Sequence, residues 1–139
     1  MKLRALIVTI LWVCMNSSLV LADEAVESFN PAAAQSWLAH IDSGNYARSW
    51  KESSAYFRGA MTEKGWVDAL NGARKPLGKL TSRKLTKTQS ARSLPGAPDG
   101  NYVVMQFATG FENKKDAVET VTFMREKDGK WKAAGYHIK

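Results

Sequence analysis

The spacing of apolar residues changes midway along the chain, and this change constrains the fold more than any other feature. Before Pro76, apolar side chains recur every three or four residues, as in an amphipathic helix. From Leu80 onward the pattern tends to alternate at every second residue, as in a strand with one buried face. Helices followed by strands are typical of α+β domains, in which the helices pack on one face of an antiparallel sheet.

Three helices are predicted before Pro76. The first begins at Asn30-Pro31, because Asn is a favoured N-cap and Pro is tolerated at the first helical position, and it ends at Gly44. Asn45 begins the second helix, and Thr62 begins the third, which ends at Pro76 and Gly78. Their predicted inward residues are Ala34, Trp37, Leu38 and Ile41; Tyr46 and Trp50; and Trp66, Ala69, Leu70 and Ala73.

Four strands are predicted after the helices. They are Leu80–Ser90, Tyr102–Phe111, Val118–Arg125 and Trp131–Ile138. Residues 94–100 contain two prolines, which cannot donate to a strand ladder, so this segment is predicted to be a loop. Residues 113–116 form the next turn, and Asp128-Gly129 is a strong hairpin signal. We therefore predict three N-terminal helices packed on a curved four-stranded antiparallel meander sheet.

The first 22 residues have the layout of a secretory signal peptide. Lys2 and Arg4 precede an apolar stretch, and a small residue, Ala22, lies at the expected cleavage site. A lipoprotein signal at Cys14 is the alternative, but the bulky Val13 before it does not suit that processing. We expect cleavage near Ala22, a flexible lead-in over 23–29 and a single domain over 30–139. The protein is then periplasmic or secreted.

Cleavage leaves 117 of the 139 residues and lowers the net charge from +7 to +5, since Lys2 and Arg4 are lost. Cys14, the one cysteine, leaves with the signal peptide, which excludes disulfides, thiol nucleophiles and cysteine metal ligands in the mature chain. With two histidines in the whole sequence, we predict no metal site and no cofactor.

Basic residues are concentrated between Asp68 and Asp99, where no acidic residue occurs. Seven positive charges lie there: Arg74, Lys75, Lys79, Arg83, Lys84, Lys87 and Arg92. An exported chain meets little nucleic acid, and no aromatic residue lies between Trp66 and Tyr102 to stack on bases. We therefore expect no nucleic-acid partner. A solvated strand with alternating basic residues is the favoured interpretation, and contact with an anionic envelope surface or an acidic protein is the alternative, so the partner is not identified.

Several stretches together resemble a bacterial exported family catalogued as domain of unknown function 4019. They are IDSGNYARSW (41–50), RKPLGKLTSRKL (74–85), LPGAPDGNYVVMQFATGF (94–111) and ETVTF with DGKWKAAGYHI (119–138). The element order and the DGKWK hairpin also resemble the cystatin-like, nuclear-transport-factor-like superfamily, whose curved sheet wraps a helix into a cone with a pocket. The family implies export and a fold but no activity. The superfamily contains ketosteroid isomerases, polyketide cyclases, dehydratases and domains that only bind, so the fold does not select a function.

Glu119 is the residue most open to a chemical role. It faces the same side of its strand as Val121 and Phe123, and a carboxylate on an apolar face must be paired or neutral. Three alternatives stand: an ion pair with an arginine such as Arg83 or Arg74, a general base of the ketosteroid-isomerase kind, or surface exposure.

The C-terminal strand is predicted to separate Tyr136 from His137. Strict alternation places Trp131, Ala133, Gly135 and His137 on one face and Lys132, Ala134, Tyr136 and Ile138 on the other. His137 is therefore not expected to work with Tyr136. His40 follows the apolar stripe of the first helix, where a histidine is favourable at the negative end of the helix dipole.

These residues lead to one functional prediction and one alternative. We predict an exported, non-enzymatic binding or interaction domain that holds a small apolar ligand or contacts an anionic envelope partner. Its predicted ligand pocket is formed by Trp66, Arg83, Glu119 and Tyr136. The alternative is a small acid–base enzyme of the isomerase or dehydratase style that uses Glu119. A homodimer through the open sheet face is a further expectation.

Overall fold

The computed structural model describes residues 28–139. The predicted signal peptide (1–22), and the lead-in up to residue 27, lie outside the described residues. Within the described part the helices are α1 (Pro31–Asp42), α2 (Tyr46–Lys51), α3 (Ala55–Ala60) and α4 (Glu63–Ala73), followed by a 3₁₀ turn (Lys75–Leu77). The strands are β1 (Leu80–Ala91), β2 (Tyr102–Phe111), β3 (Lys114–Arg125) and β4 (Trp131–Ile138).

The helix ends follow local sequence signals. The side chain of Asn30 accepts a hydrogen bond from the Ala32 amide at 3.0 Å, and that of Thr62 accepts one from Gly65 at 3.1 Å. Gly44 follows α1 with a positive φ of 79°, a conformation that glycine adopts without the steric cost of a Cβ atom. The predicted starts of α1 and α4 and the end of α1 are therefore confirmed.

The described residues contain four α-helices rather than the three predicted. The additional helix is α3, which spans 6 residues. The Ser54 side chain caps it by accepting from the Phe57 amide at 3.1 Å, and the Ser54 amide donates to the Ala133 carbonyl of β4 at 2.8 Å. A single turn and a half is too short to show a helical period in the sequence, so the serine cap is the main local signal.

The inner face of α4 also differs from the prediction. Trp66 and Leu70 are buried as expected, but Ala69 and Ala73 are exposed. The third buried residue on this face is Arg74, immediately after the helix. The side chains at positions 66, 70 and 74, each four residues apart, therefore face the interior, and one of the three is charged.

The four strands form one open antiparallel sheet in the order β1-β2-β3-β4, so the predicted meander is confirmed. β3 starts at Lys114, four residues before the predicted start at Val118, because Phe111 and Lys114 pair across a connection of only two residues. The Asp128-Gly129 hairpin joins β3 to β4, with Gly129 at a φ of 86°.

A β-bulge in β4 overturns the predicted division of its faces. Phe123 pairs with Ala133 while Thr122 pairs with Gly135, so Ala134 is an extra residue in the strand. The bulge moves Tyr136 to the side of Ala133, because Tyr136 pairs with Val121 and both Val121 and Phe123 are in the buried core. His137 pairs with Thr120 on the opposite side, so Tyr136 and His137 do point apart as predicted.

The core lies between the helices and the side of the sheet that carries Phe107, Val121 and Phe123. Aromatic rings fill much of it: Trp37 lies 6.2 Å from Trp66 and 6.3 Å from Phe123, measured between ring centroids. Large rings bury 150–250 Å² each, so these contacts supply a large share of the hydrophobic stabilisation.

Candidate functional site

Three of the four predicted pocket residues come from β1, β3 and β4 and meet on the helix-facing side of the sheet. Arg83 of β1 pairs with Thr109 of β2, and Glu119 of β3 pairs with Phe107, which is also in β2. Tyr136 of β4 lies opposite Val121, two residues after Glu119. The fourth predicted residue, Trp66 of α4, packs its ring 6.4 Å from that of Tyr136. The structure therefore brings the four residues into one region.

Glu119 is fully buried, with 0% of its surface exposed, and both its oxygens are engaged. Oε1 accepts from the Arg83 Nε–H at 2.7 Å and from the Thr109 hydroxyl at 2.6 Å. Oε2 accepts from the Arg83 Nη2–H at 3.1 Å and from the Tyr136 hydroxyl. Of the alternatives for this residue, the ion pair with Arg83 is the one present.

Arg83 binds a second carboxylate and thereby links the sheet to α1. Its Nη1 donates to Asp42 Oδ2 at 2.7 Å, and its Nη2 donates to Asp42 Oδ1 at 2.9 Å. Asp42 is the last residue of α1. Two bidentate pairs thus meet on one guanidinium, a geometry that the planar side chain of arginine permits and that of lysine does not.

Arg74 extends this cluster toward the helices. Its Nη2 donates to Asp42 Oδ1 at 3.3 Å and its Nη1 to the Gly78 carbonyl at 2.6 Å. The guanidinium carbon lies 4.2 Å from the centroid of the Phe111 ring, a cation–π contact. Its Nε–H is buried and has no acceptor within residues 28–139. We call the whole set the Arg83 network: Asp42, Arg74, Arg83, Thr109, Glu119 and Tyr136.

Burial and pairing shift the pKa values of two members of the network. Burial opposes the charge on Arg83, but the hydrogen bonds and negative charges of Asp42 and Glu119 outweigh it, and the pKa of Arg83 rises above its usual value. Burial raises the pKa of Tyr136 far above its ordinary 10.0, and the charge of Glu119 raises it further. Both groups therefore keep their protons throughout the physiological range.

Indole rings occupy the space between this network and the helices. The Trp37 Nε1–H donates to the Ser49 carbonyl at 2.9 Å, and the Trp66 Nε1–H donates to the Ser49 hydroxyl at 2.9 Å. The Trp37 ring also packs against Tyr136, with centroids 5.8 Å apart. Because the indole donors are satisfied within the protein, these rings are fixed parts of the interior.

An open cleft of about 480 Å³ is lined by Asp42 and Arg74 but not by Glu119. Its walls come from the corner between α1 and α2, from α4 and the 3₁₀ turn, and from the β2–β3 turn. Asp42 and Arg74 belong both to its lining and to the Arg83 network; the other polar and charged lining residues are Asn45, Tyr46, Asn71, Lys75, Lys79 and Glu112.

None of the four predicted pocket residues lines this cleft, and sequence analysis missed it. Apart from Val67 and Asn71 of α4, most of its residues lie at helix ends and in turns, where polar side chains are ordinary. A usable signal was the cluster Arg74-Lys75 and Lys79 beside Gly78, a residue with a φ of 77° that reverses the chain into β1. The role of Trp66, Arg83, Glu119 and Tyr136 in binding stays a prediction.

Outside the network and the cleft, His40 is a further candidate group, and it lies beside Glu52. The His40 Nε2 lies 2.8 Å from Glu52 Oε2 on the surface, and the Arg48 Nε–H donates to Glu52 Oε1 at 3.0 Å. Burial raises the pKa of Glu52, but the hydrogen bond from Arg48 and the contact with His40 together outweigh it, so the pKa lies below its ordinary 4.5. Residues 28–139 contain no group of three or more His, Cys, Asp or Glu side chains placed to hold a metal ion.

A family model matches residues 33–136, from the start of α1 to the end region of β4. The family is described as Protein of unknown function (DUF4019). The chain belongs to this family. The matched span contains every residue of the Arg83 network and of the cleft lining.

A search of curated proteins found no match to this DUF4019 chain. Among its described helices, none is both long and apolar enough to cross a membrane.

Proposed function

We propose that this DUF4019 protein is an exported, non-enzymatic binding domain that uses the open cleft beside Arg74 as its binding site. The observation that carries the proposal is the cleft itself, whose volume of about 480 Å³ falls within the range of about 300–1,000 Å³ typical of small-molecule sites. Its walls belong to different helices and turns, which is where ligand sites commonly form.

The Arg83 network supports a structural role for Glu119. A general base needs a free lone pair directed at a substrate proton. The Glu119 carboxylate instead accepts four hydrogen bonds, from Arg83 twice, from Thr109 and from Tyr136. The acid–base enzyme that uses Glu119 remains the alternative function, and it requires this network to open. The contacts favour a structural role of Glu119 over catalysis.

Export and the cone-shaped fold are parts of the same proposal. The order Lys2, Arg4, apolar stretch and Ala22 supports cleavage of a signal peptide and a periplasmic or secreted location. Helices on one side of a four-stranded antiparallel meander support a relation to the cystatin-like, nuclear-transport-factor-like superfamily. N-terminal sequencing of protein from the periplasmic fraction tests the first point: we expect Asp23 as the first residue, and a retained Met1 would contradict export by this route.

The cleft is tested by mapping small molecules onto it. Two-dimensional NMR of ¹⁵N-labelled protein, screened against a library of polar metabolite-sized compounds, should show shifts clustered at Val67, Asn71 and Gly78. Asn71→Trp places a large ring in the cleft and should abolish those shifts, while Gln89→Trp on exposed β1 should leave them unchanged. Shifts elsewhere, or shifts that survive Asn71→Trp, would show that the binding site is not this cleft.

The basic strand supports a second candidate function, contact with an anionic envelope surface. Lys84 pairs with Ala108 and Lys87 with Gln106, both on the sheet side facing away from the core, and Lys132 pairs with Met124 on that same side. Positive charge therefore lies at both edges of this outer face.

The same arrangement places like charges opposite one another in a dimer formed through the outer face, which weighs against the expected homodimer. Light scattering on the purified protein decides that point.

A further inference from the structure

We propose that the cleft binds a small molecule through an oxyanion, a carboxylate or phosphate group held between Lys75, Lys79 and Arg74. This inference rests on the proposed binding function and adds the chemical class of the ligand. All three cations line the cleft. Two carboxylates, Asp42 and Glu112, line it as well, so the sign of the site depends on which charges are already paired.

Both carboxylates accept hydrogen bonds from the protein, Asp42 in a half-buried position and Glu112 on the surface. Asp42 accepts two hydrogen bonds from Arg83, which is outside the cleft lining, and one from Arg74. Glu112 Oε2 accepts from the backbone amide of Lys79 at 3.2 Å. Asp42 and Glu119 together face Arg74 and Arg83, so these four charges balance. Lys75 and Lys79 then outnumber Glu112, the other carboxylate of the cleft lining.

The cations are less completely paired. Within residues 28–139, no salt bridge joins Lys75 or Lys79 to a carboxylate, and both lysines are exposed. Arg74 is buried, with 3% of its surface exposed, and shares its single carboxylate partner with Arg83. Its Nε–H has no acceptor in the described part of the chain. That atom is inaccessible to solvent, so the anion is attracted by the two exposed lysines, and Arg74 forms the wall behind them.

The uncharged lining supplies groups that orient an organic molecule. Asn45 makes no capping bond with its side chain, and Asn71 lies exposed on α4, so both amides can bind ligand groups. Tyr46 and Val67 add apolar wall. This combination fits a compound with one oxyanion and a small polar or mixed body. Exposed lysines lie in high dielectric, so each contributes modestly and the binding should weaken with added salt.

Titration with two probes distinguishes a free inorganic anion from an anionic organic compound. Inorganic phosphate tests the oxyanion alone, and phenyl phosphate tests the same group with an organic body, each followed by NMR at 20 mM and 200 mM NaCl. We expect both to shift cleft resonances, phenyl phosphate at a lower concentration. Equal affinities would assign the site to inorganic phosphate, which keeps the oxyanion site but removes the organic body from the proposal.

A pair of double variants isolates the cleft charges. Lys75→Gln with Lys79→Gln should weaken phenyl phosphate binding about five- to tenfold, as expected for the loss of two exposed charge contacts. Lys84→Gln with Lys87→Gln removes the same net charge from β1, outside the cleft lining, and should change binding less than twofold. Equal weakening of phenyl phosphate binding in both double variants would show that binding depends only on the overall charge of the protein, and would overturn the proposal.

The outcomes also separate this inference from the proposed function. If neutral compounds shift Val67 and Asn71 while neither phosphate probe does, the cleft is a binding site and the oxyanion assignment is wrong. If neither the phosphate probes nor the neutral library shift the cleft resonances, both proposals fail.

Discussion

Replacing Glu119 by Gln tests whether the Arg83 network stabilises the fold. Glutamine keeps the shape of the side chain but removes its charge, and its amide group places N–H donors where Arg83 or Tyr136 already donates. Breaking a buried ion pair by changing one partner costs about 3–5 kcal/mol. Arg83 keeps its bidentate pair with Asp42, so we expect a loss at the lower end, about 3 kcal/mol.

This loss is large enough to measure by thermal unfolding. For a domain of this length, each kcal/mol lowers Tm by about 4 °C, so Glu119→Gln should lower Tm by about 12 °C. Circular dichroism at pH 7 follows the transition, with urea unfolding as a second measure of the free energy. Asp116→Asn, an exposed carboxylate on the same strand, is the matched control and should shift Tm by less than about 2 °C.

A Tm decrease below about 3 °C in Glu119→Gln would refute the reasoning, because an unpaired Arg83 donor in a buried site cannot be that inexpensive. If the Gln variant does not fold, Glu119→Asp keeps the charge on a shorter side chain and should lose less stability. A folded, fully stable Gln variant that has lost a measurable reaction would instead support the acid–base enzyme.

Three further predictions follow from individual contacts. Tyr136→Phe should reduce the loss of stability above pH 10. Because the pKa of Tyr136 is raised in the folded protein, only the unfolded chain releases this proton there, which lowers the free energy of unfolding of the wild type by about 1.4 kcal/mol per pH unit. Urea unfolding from pH 8 to 11.5 should show the stability curves of wild type and variant converging. Parallel curves would contradict this. Gly78→Ala should destabilise the protein by about 1–3 kcal/mol, since Gly78 has a φ of 77° and a Cβ there would lie 2.8 Å from Glu112 Oε2. The control, Gly72→Ala at an exposed position of α4, should stabilise it by about 0.5–1 kcal/mol. Similar Tm shifts in both variants would be inconsistent with the backbone argument. Changing Lys84, Lys87 and Lys132 together to Gln should reduce co-sedimentation with vesicles containing 30% anionic lipid at low salt. The binding free energy should weaken by about 1 kcal/mol per lysine. Unchanged binding would reject the outer face as a contact for anionic lipid.

The ion pair of Glu119 was predictable because it follows from a local rule. Alternation along β3 places Glu119 beside Val121 and Phe123, and a carboxylate on such a face needs a partner. A partner on the sheet had to be basic and face the same way, which Arg83 satisfies by reaching across β2 from β1. Asp42 carries no comparable signal, since a polar residue two positions before Gly44 reads as an ordinary helix end. Its contact with Arg83 depends on where α1 sits on the sheet, and residue spacing does not define that.

Two of the errors of local structure, the division of faces in β4 and the missed helix α3, lie beside one long-range contact. Ala134 is an extra residue in β4, and a one-residue insertion reverses every following side chain without changing the residue types. Helix α3 spans 6 residues, too few for a period to appear. The Ser54 amide, at the start of α3, donates to the carbonyl of Ala133, the residue before the extra residue of β4. That contact joins segments about 80 residues apart, which a pattern confined to one segment cannot show.

The Arg83 network also explains why a structural ion pair and a surface cleft occur side by side. A buried ion pair rarely adds stability over an apolar pair of equal size, so its value lies in fixing one arrangement of the elements that it joins. Here the carboxylates come from α1 and β3, and the arginines from β1 and the end of α4. Asp42 and Arg74 face the cleft from this rigid cluster. The position of the cleft wall therefore depends on Glu119, and Glu119→Gln should weaken oxyanion binding without altering any residue that lines the site.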